Sequence, residues 1–139
     1  MTIPSERMRA LRWGAELLRE IVQDDQVDVG LRQRAEQLMP AYPTAEALLD
    51  LVLSDAPAMP MPWAESIEAA RMLFRDLGLR GDGTGVTRRK LELTHRHFAE
   101  PGILHHWTKT AKGFSIQTWL LPEGNITGSI PKRKASKSP

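Results

Sequence analysis

Residues 87–99, Thr87-Arg88-Arg89-Lys90-Leu91-Glu92-Leu93-Thr94-His95-Arg96-His97-Phe98-Ala99, carry two competing periods. Leu91, Leu93 and His95 alternate as on a half-buried strand, whereas Leu91, His95 and Phe98 fall at helical spacing and stop before Pro101. The reading leans to strand and leaves helix open. Downstream, Ile103 to Thr110 and Phe114 to Leu121 are rich in β-branched and aromatic residues. Ala111-Lys112-Gly113 between them suits a three-residue hairpin loop with glycine at its left-handed position. Glu123-Gly124-Asn125 marks another turn, and Ile126 to Ile130 suits a short strand. From Pro131 the chain is a basic, weakly hydrophobic tail expected to be disordered.

Upstream of the decisive stretch the grammar is helical. Met8, Leu11, Ala15, Leu18 and Ile21 recur at three- and four-residue steps, which predicts an amphipathic helix from Thr2 to Ile21, capped by Thr2 or Ser5 and with Pro4 in its first turn. Asp28 is placed to cap a second helix over Val29 to Met39, ended by Pro40 and Pro43. Thr44 is placed to cap a third, broken by Ser54-Asp55-Ala56-Pro57. Three prolines in Ala56 to Pro62 make an extended strap. Pro62 opens a fourth helix, with Trp63, Ile67, Ala70, Phe74 and Leu77 at helical spacing and Gly78 as its stop.

The fold class expected from this order is α+β. Residues 1–55 form a helical region, 56–62 a proline strap, 63–130 a helix followed by a small antiparallel sheet or hairpin, and 131–139 a basic tail. The expected core includes Leu11, Leu18, Leu38, Leu48, Leu51, Ile67, Phe74, Leu91, Ile116 and Leu120.

With 139 residues and 41% apolar composition, the chain supports one domain, or one domain plus a tail. It has no cysteine, which excludes disulfides, thiolate metal sites and cysteine nucleophiles. No stretch is apolar enough for a membrane span, and the N-terminus lacks a signal-peptide core, so a cytoplasmic location is expected.

Charge is uneven along the chain. Residues 1–76 hold 8 Lys+Arg against 13 Asp+Glu, a net of −5, and residues 77–139 hold 11 against 4, a net of +7, together the formal +2. A basic half points to a polyanionic partner, because clustered cations steer encounters and release counterions from phosphates. Arg88, Arg89, Lys90 and Arg96 lead into a hairpin bearing Lys109 and Lys112 beside Trp107. These seven residues are the expected contacts with nucleic acid or a nucleoprotein complex, in the manner of a winged helix or of an aromatic sheet that stacks bases.

Two alternatives stand beside that expectation. One is a protein-directed inhibitor of the kind carried by phages and plasmids, anti-CRISPR proteins included, docking on an acidic protein surface; this is an analogy of type. The other is metal binding by His95, His97, His105 and His106, which on neighbouring strands could offer three nitrogens to one ion. Gly81-Asp82-Gly83-Thr84-Gly85 lacks the Lys-Ser/Thr of a phosphate loop. No catalytic motif is apparent, so neither enzyme activity nor a cofactor is expected.

The opening Met1-Thr2-Ile3-Pro4-Ser5-Glu6-Arg7-Met8-Arg9-Ala10-Leu11, the Leu17-Leu18-Arg19-Glu20 and Arg32-Gln33-Arg34-Ala35 helices and Tyr42-Pro43-Thr44 resemble a family of short bacterial proteins of unknown function. Its members share an M-T-x-P-x-E-R-x-R-A-L start and a Tyr-Pro joint between helices. The resemblance covers residues 1–53 and implies a bacterial, helical N-terminal region without assigning any chemistry. Where such proteins carry basic residues before the joint, this chain has Met39-Pro40-Ala41.

Overall fold

The structure is a computed structural model and describes residues 3–54, 58–98, 107–108 and 116–122. Five helices follow in order: α1 (Pro4–Gln23), α2 (Val29–Leu38), α3 (Ala45–Leu53), α4 (Met61–Arg80) and α5 (Gly85–His95). Met39–Ala41 and Ile116–Thr118 form single 3-10 turns.

Caps explain most of the boundaries. Asp28 accepts from the Gly30 N–H at 3.0 Å, and Thr44 accepts from the Ala47 N–H at 3.0 Å. At α1 the cap position belongs to Ile3, whose N–H donates to Glu6 Oε1 at 3.0 Å, so the expected Thr2 or Ser5 cap gives way to a backward reach from the first turn. This hydrogen bond holds the Glu6 carboxyl below the usual range. Helix α4 runs through Gly78 and ends at Gly81, which takes φ +76° and donates its N–H to Leu77 O at 3.0 Å. Gly78 stays helical; a Cβ there would meet Leu91 Cδ2 of α5 at 3.9 Å, ordinary contact.

The α+β expectation is overturned. Among the described residues there is no strand, and 87–99 does not form one: Gly85–His95 is helix α5. Its hidden positions are Thr87, Leu91 and Thr94, a helical stripe disguised by its two threonines and followed by buried Phe98 just past the helix end. The Leu91/Leu93 alternation that favoured a strand is incidental, because Leu93 lies half-buried off that stripe. The expected hairpin fails where it is described. Trp107-Thr108 is helical, and at 116–118, where the second strand was expected, Trp119 N–H and Leu120 N–H both return to Ile116 O, at 2.9 and 3.0 Å. The loop Ala111-Lys112-Gly113, residues 126–130 and the tail lie outside the described residues. Trp107, Ile116 and Leu120 are buried, so the aromatic and β-branched composition at these described positions reflects core residues.

Helix α1 is the central element, packing on α2 and α5 and also touching α3 and α4. Leu11, Leu17, Leu18 and Ile21 are fully enclosed, together with Leu48, Ile67, Phe74 and Leu77 from the surrounding helices; Leu38 and Leu51 pack only partly. The C-terminal described residues close one end. Met59 N–H donates to Trp107 O at 2.7 Å, Gln117 Nε2 to Val52 O at 2.8 Å, and buried Arg7 donates from Nη1 to Trp119 O at 2.9 Å while stacking over the Trp119 ring.

Gly14 lets two elements meet α1 at close range. Tyr42, whose hydroxyl donates to Leu11 O at 2.6 Å, and Phe98 both lie where a Cβ would stand, 2.4 Å from Tyr42 Oη and 2.7 Å from Phe98 Cε1. Gly14→Ala is expected to cost about 1–2 kcal/mol in urea unfolding, because overpacking of about 1–3 kcal/mol outweighs alanine's helix preference of about 1. Unchanged or raised stability would show that Tyr42 and Phe98 yield freely.

Candidate functional site

Helices α4 and α5 are joined by Gly81-Asp82-Gly83-Thr84, with Gly81 and Gly83 at φ +76° and +106°. The joint is pinned from several sides. Asp82 Oδ2 accepts from Asp28 N–H at 3.1 Å and Arg80 Nε at 2.9 Å, and Arg88 Nη1 donates to Leu77 O and Asp82 O, both at 3.1 Å. Beneath it, buried Asp24 at the end of α1 accepts from Thr84 N–H at 2.8 Å, from the Thr84 hydroxyl at 3.1 Å, from the Thr87 hydroxyl, and from Gln26 N–H at 2.9 Å. Burial pushes the Asp24 carboxyl up, but the hydrogen bonds led by Thr87 and Thr84 outweigh it and bring the pKa down to about 2. These contacts fix α5 on α1 and α4.

Between α4 and α5 lies an open groove of about 880 Å³. Phe74, Leu79 and Leu91 contribute its apolar lining, and four arginines, Arg75, Arg88, Arg89 and Arg96, share it with one carboxylate, Glu92. Arg89 and Glu92 pair at 3.2 Å with side chains 69% and 63% exposed, a contact worth a few tenths of a kcal/mol that a stronger anion displaces readily. Arg75 pairs with Asp76, which also holds Arg34; these guanidinium groups, Arg34 first, keep the Asp76 carboxyl below the usual range. Arg96 is exposed and makes no hydrogen bond or ion pair among the described residues.

The residues expected from sequence divide accordingly. Arg88, Arg89 and Arg96 come together in the groove. Lys90 turns away to Glu20 of α1 at 3.0 Å, so part of the basic excess is neutralised by the acidic half. Trp107 is core. Lys109 and Lys112 lie outside the described residues.

The histidines lose the geometry a strand would have given them. His95, the last residue of α5, lines the groove, while His97, just past the helix end, approaches Glu6 of α1 at 3.8 Å, so the two do not share a face. His105 and His106 lie outside the described residues. Among the described residues no group of three or more His, Asp or Glu side chains could hold a metal ion.

Sequence reasoning missed Arg75 and Leu79. Both sit on α4 where only the buried stripe was periodic, and nothing in their spacing marks them until α5 is known to be a helix beside them. Comparisons with protein-family models, curated proteins and solved structures find no match, so nothing there bears on the N-terminal resemblance. No described helix is long and apolar enough to cross a membrane.

Proposed function

We propose that this is a non-catalytic binding protein whose α4–α5 groove takes the phosphate backbone of nucleic acid, free or within a nucleoprotein complex. The observation behind the reading is the grouping of four guanidinium groups around one open groove with a single carboxylate among them. Arginine suits this task because its planar fork grips phosphate oxygens in pairs and stays charged at any working pH. Arg88 is largely committed to holding the joint, which leaves Arg96, Arg89 on release from Glu92 and Arg75 on release from Asp76 as the contacts.

Fluorescence anisotropy with labelled DNA and RNA at about 50 and 200 mM salt tests the proposal. Binding is expected to weaken steeply with salt. In an Arg75→Ala, Arg89→Ala, Arg96→Ala variant, affinity should fall at least about tenfold, and the slope of log K against log salt should become shallower by up to about 3, roughly 0.9 for each phosphate no longer neutralised. Absent or salt-insensitive binding overturns the proposal. It would favour the protein-directed reading, which has its own observation in Leu79, a leucine 80% exposed beside the groove arginines, apolar surface that a protein partner could cover.

A further inference from the structure

Resting on that groove, we infer that its ligand is duplex DNA and that α5 is the helix that enters the major groove, with Arg89 reading a base edge. A helix, a four-residue turn carrying two left-handed glycines, and a second helix pinned at its start is the order of parts in a helix-turn-helix. Eleven residues give α5 a length of about 16 Å, and a helix about 10–12 Å across fits a major groove about 12 Å wide.

The faces of α5 are sorted for this use. Thr87, Leu91 and Thr94 are buried, and Lys90 is tied to Glu20, so the inward sides are occupied. Val86 and Arg89 lie one turn apart, and Arg96 two turns further, on the outward side; Val86 is 57% exposed, and Glu92, on the same side and paired with Arg89 at 3.2 Å, must release it for a base contact. An exposed apolar residue one turn from an arginine offers a methyl contact to thymine next to a bidentate contact to guanine. Arg75 of α4 and Arg96 flank the helix where the phosphate strand would pass. Asp82, paired with Arg80 at the start of α5, disfavours phosphate at that tip, so the contact runs from Val86 toward Arg96.

The test uses the full chain and a pool of duplexes with about 20 randomised base pairs. Repeated selection is expected to enrich a short consensus, and the selected duplex should bind more tightly than either of its separated strands. Arg89→Ala and Arg89→Lys should each weaken binding to the selected duplex about 5- to 100-fold, the size of one bidentate base contact. The lysine variant, which keeps the charge but not the fork, should weaken unselected duplex by a smaller factor than selected duplex. Arg75→Ala should weaken selected and unselected duplexes by the same factor. Unchanged circular dichroism shows that each variant folds. Equal affinity for duplex and single strand, no enrichment, or an Arg89→Lys effect equal on both pools overturns the inference while the groove proposal stands. Absence of salt-dependent binding to any nucleic acid fails the groove proposal itself.

Discussion

Replacing Asp24 by alanine is expected to lower the unfolding free energy by about 3 kcal/mol. The Thr87 hydroxyl, fully buried, would lose its acceptor, at about 1–3 kcal/mol. The N–H of Thr84 would lose another, and the start of α5 would lose a carboxylate that complements the helix dipole, worth about 0.3–1 kcal/mol. Urea unfolding measures the sum, and a decrease below about 1 kcal/mol would show that water replaces the carboxylate without cost. The pH dependence is separate. Asp24 titrates near 2 in the folded protein against about 4 when unfolded, so its ionisation stabilises the fold fully above about pH 4. The contribution is lost as pH falls from 4 toward 2 and amounts to about 2 kcal/mol. Asp76, lowered by Arg34 and Arg75, and Asp82, lowered by Arg80, act in the same direction. Asp24→Asn should flatten the acid limb without removing it.

Trp107 is expected to give the second large effect. It is 1% exposed, and Trp107→Ala should cost about 3–5 kcal/mol by leaving a cavity beside the strap at Met59. Its indole Nε1 is buried with no hydrogen-bond partner among the described residues. Trp107→Phe removes that unsatisfied donor, worth about 1–3 kcal/mol, and so should cost less than about 2 kcal/mol despite the smaller volume. Thermal unfolding of both variants separates the two contributions. If phenylalanine proves as costly as alanine, the indole N–H is bonded.

Helices α1 to α4 were legible because each announces itself twice, through an apolar stripe and through a cap or proline at its start. Asp28, Thr44 and the Pro62 turn marked boundaries that propensity alone could not. Helix α5 was misread for a specific physical reason. Two of its buried positions are threonines, and Thr87 is buried only because Asp24, more than sixty residues earlier, accepts from its hydroxyl. A periodicity count scores Thr87 as polar, so the stripe vanishes and the Leu91/Leu93 alternation prevails. The C-terminal aromatic and β-branched residues misled in the complementary way, since Trp107 and Ile116 owe their burial to helices far away in sequence. The site was half legible. Arg88, Arg89 and Arg96 stood out as a basic run, but which of them faced solvent depended on the helix, and Arg75 entered only through the packing of α4 beside α5.

The Arg7 contact with Trp119 joins residues 112 positions apart in sequence. A bundle whose helices pair mainly with neighbours can close progressively, but here the first turn of α1 stays uncovered until nearly 120 residues are available. Contacts of such sequence range are slower to form than those between neighbouring helices. Chains cut short before Ile116 are expected to be less stable and more readily cut in limited proteolysis, because Arg7 and Val52 O lose their partners Trp119 and Gln117.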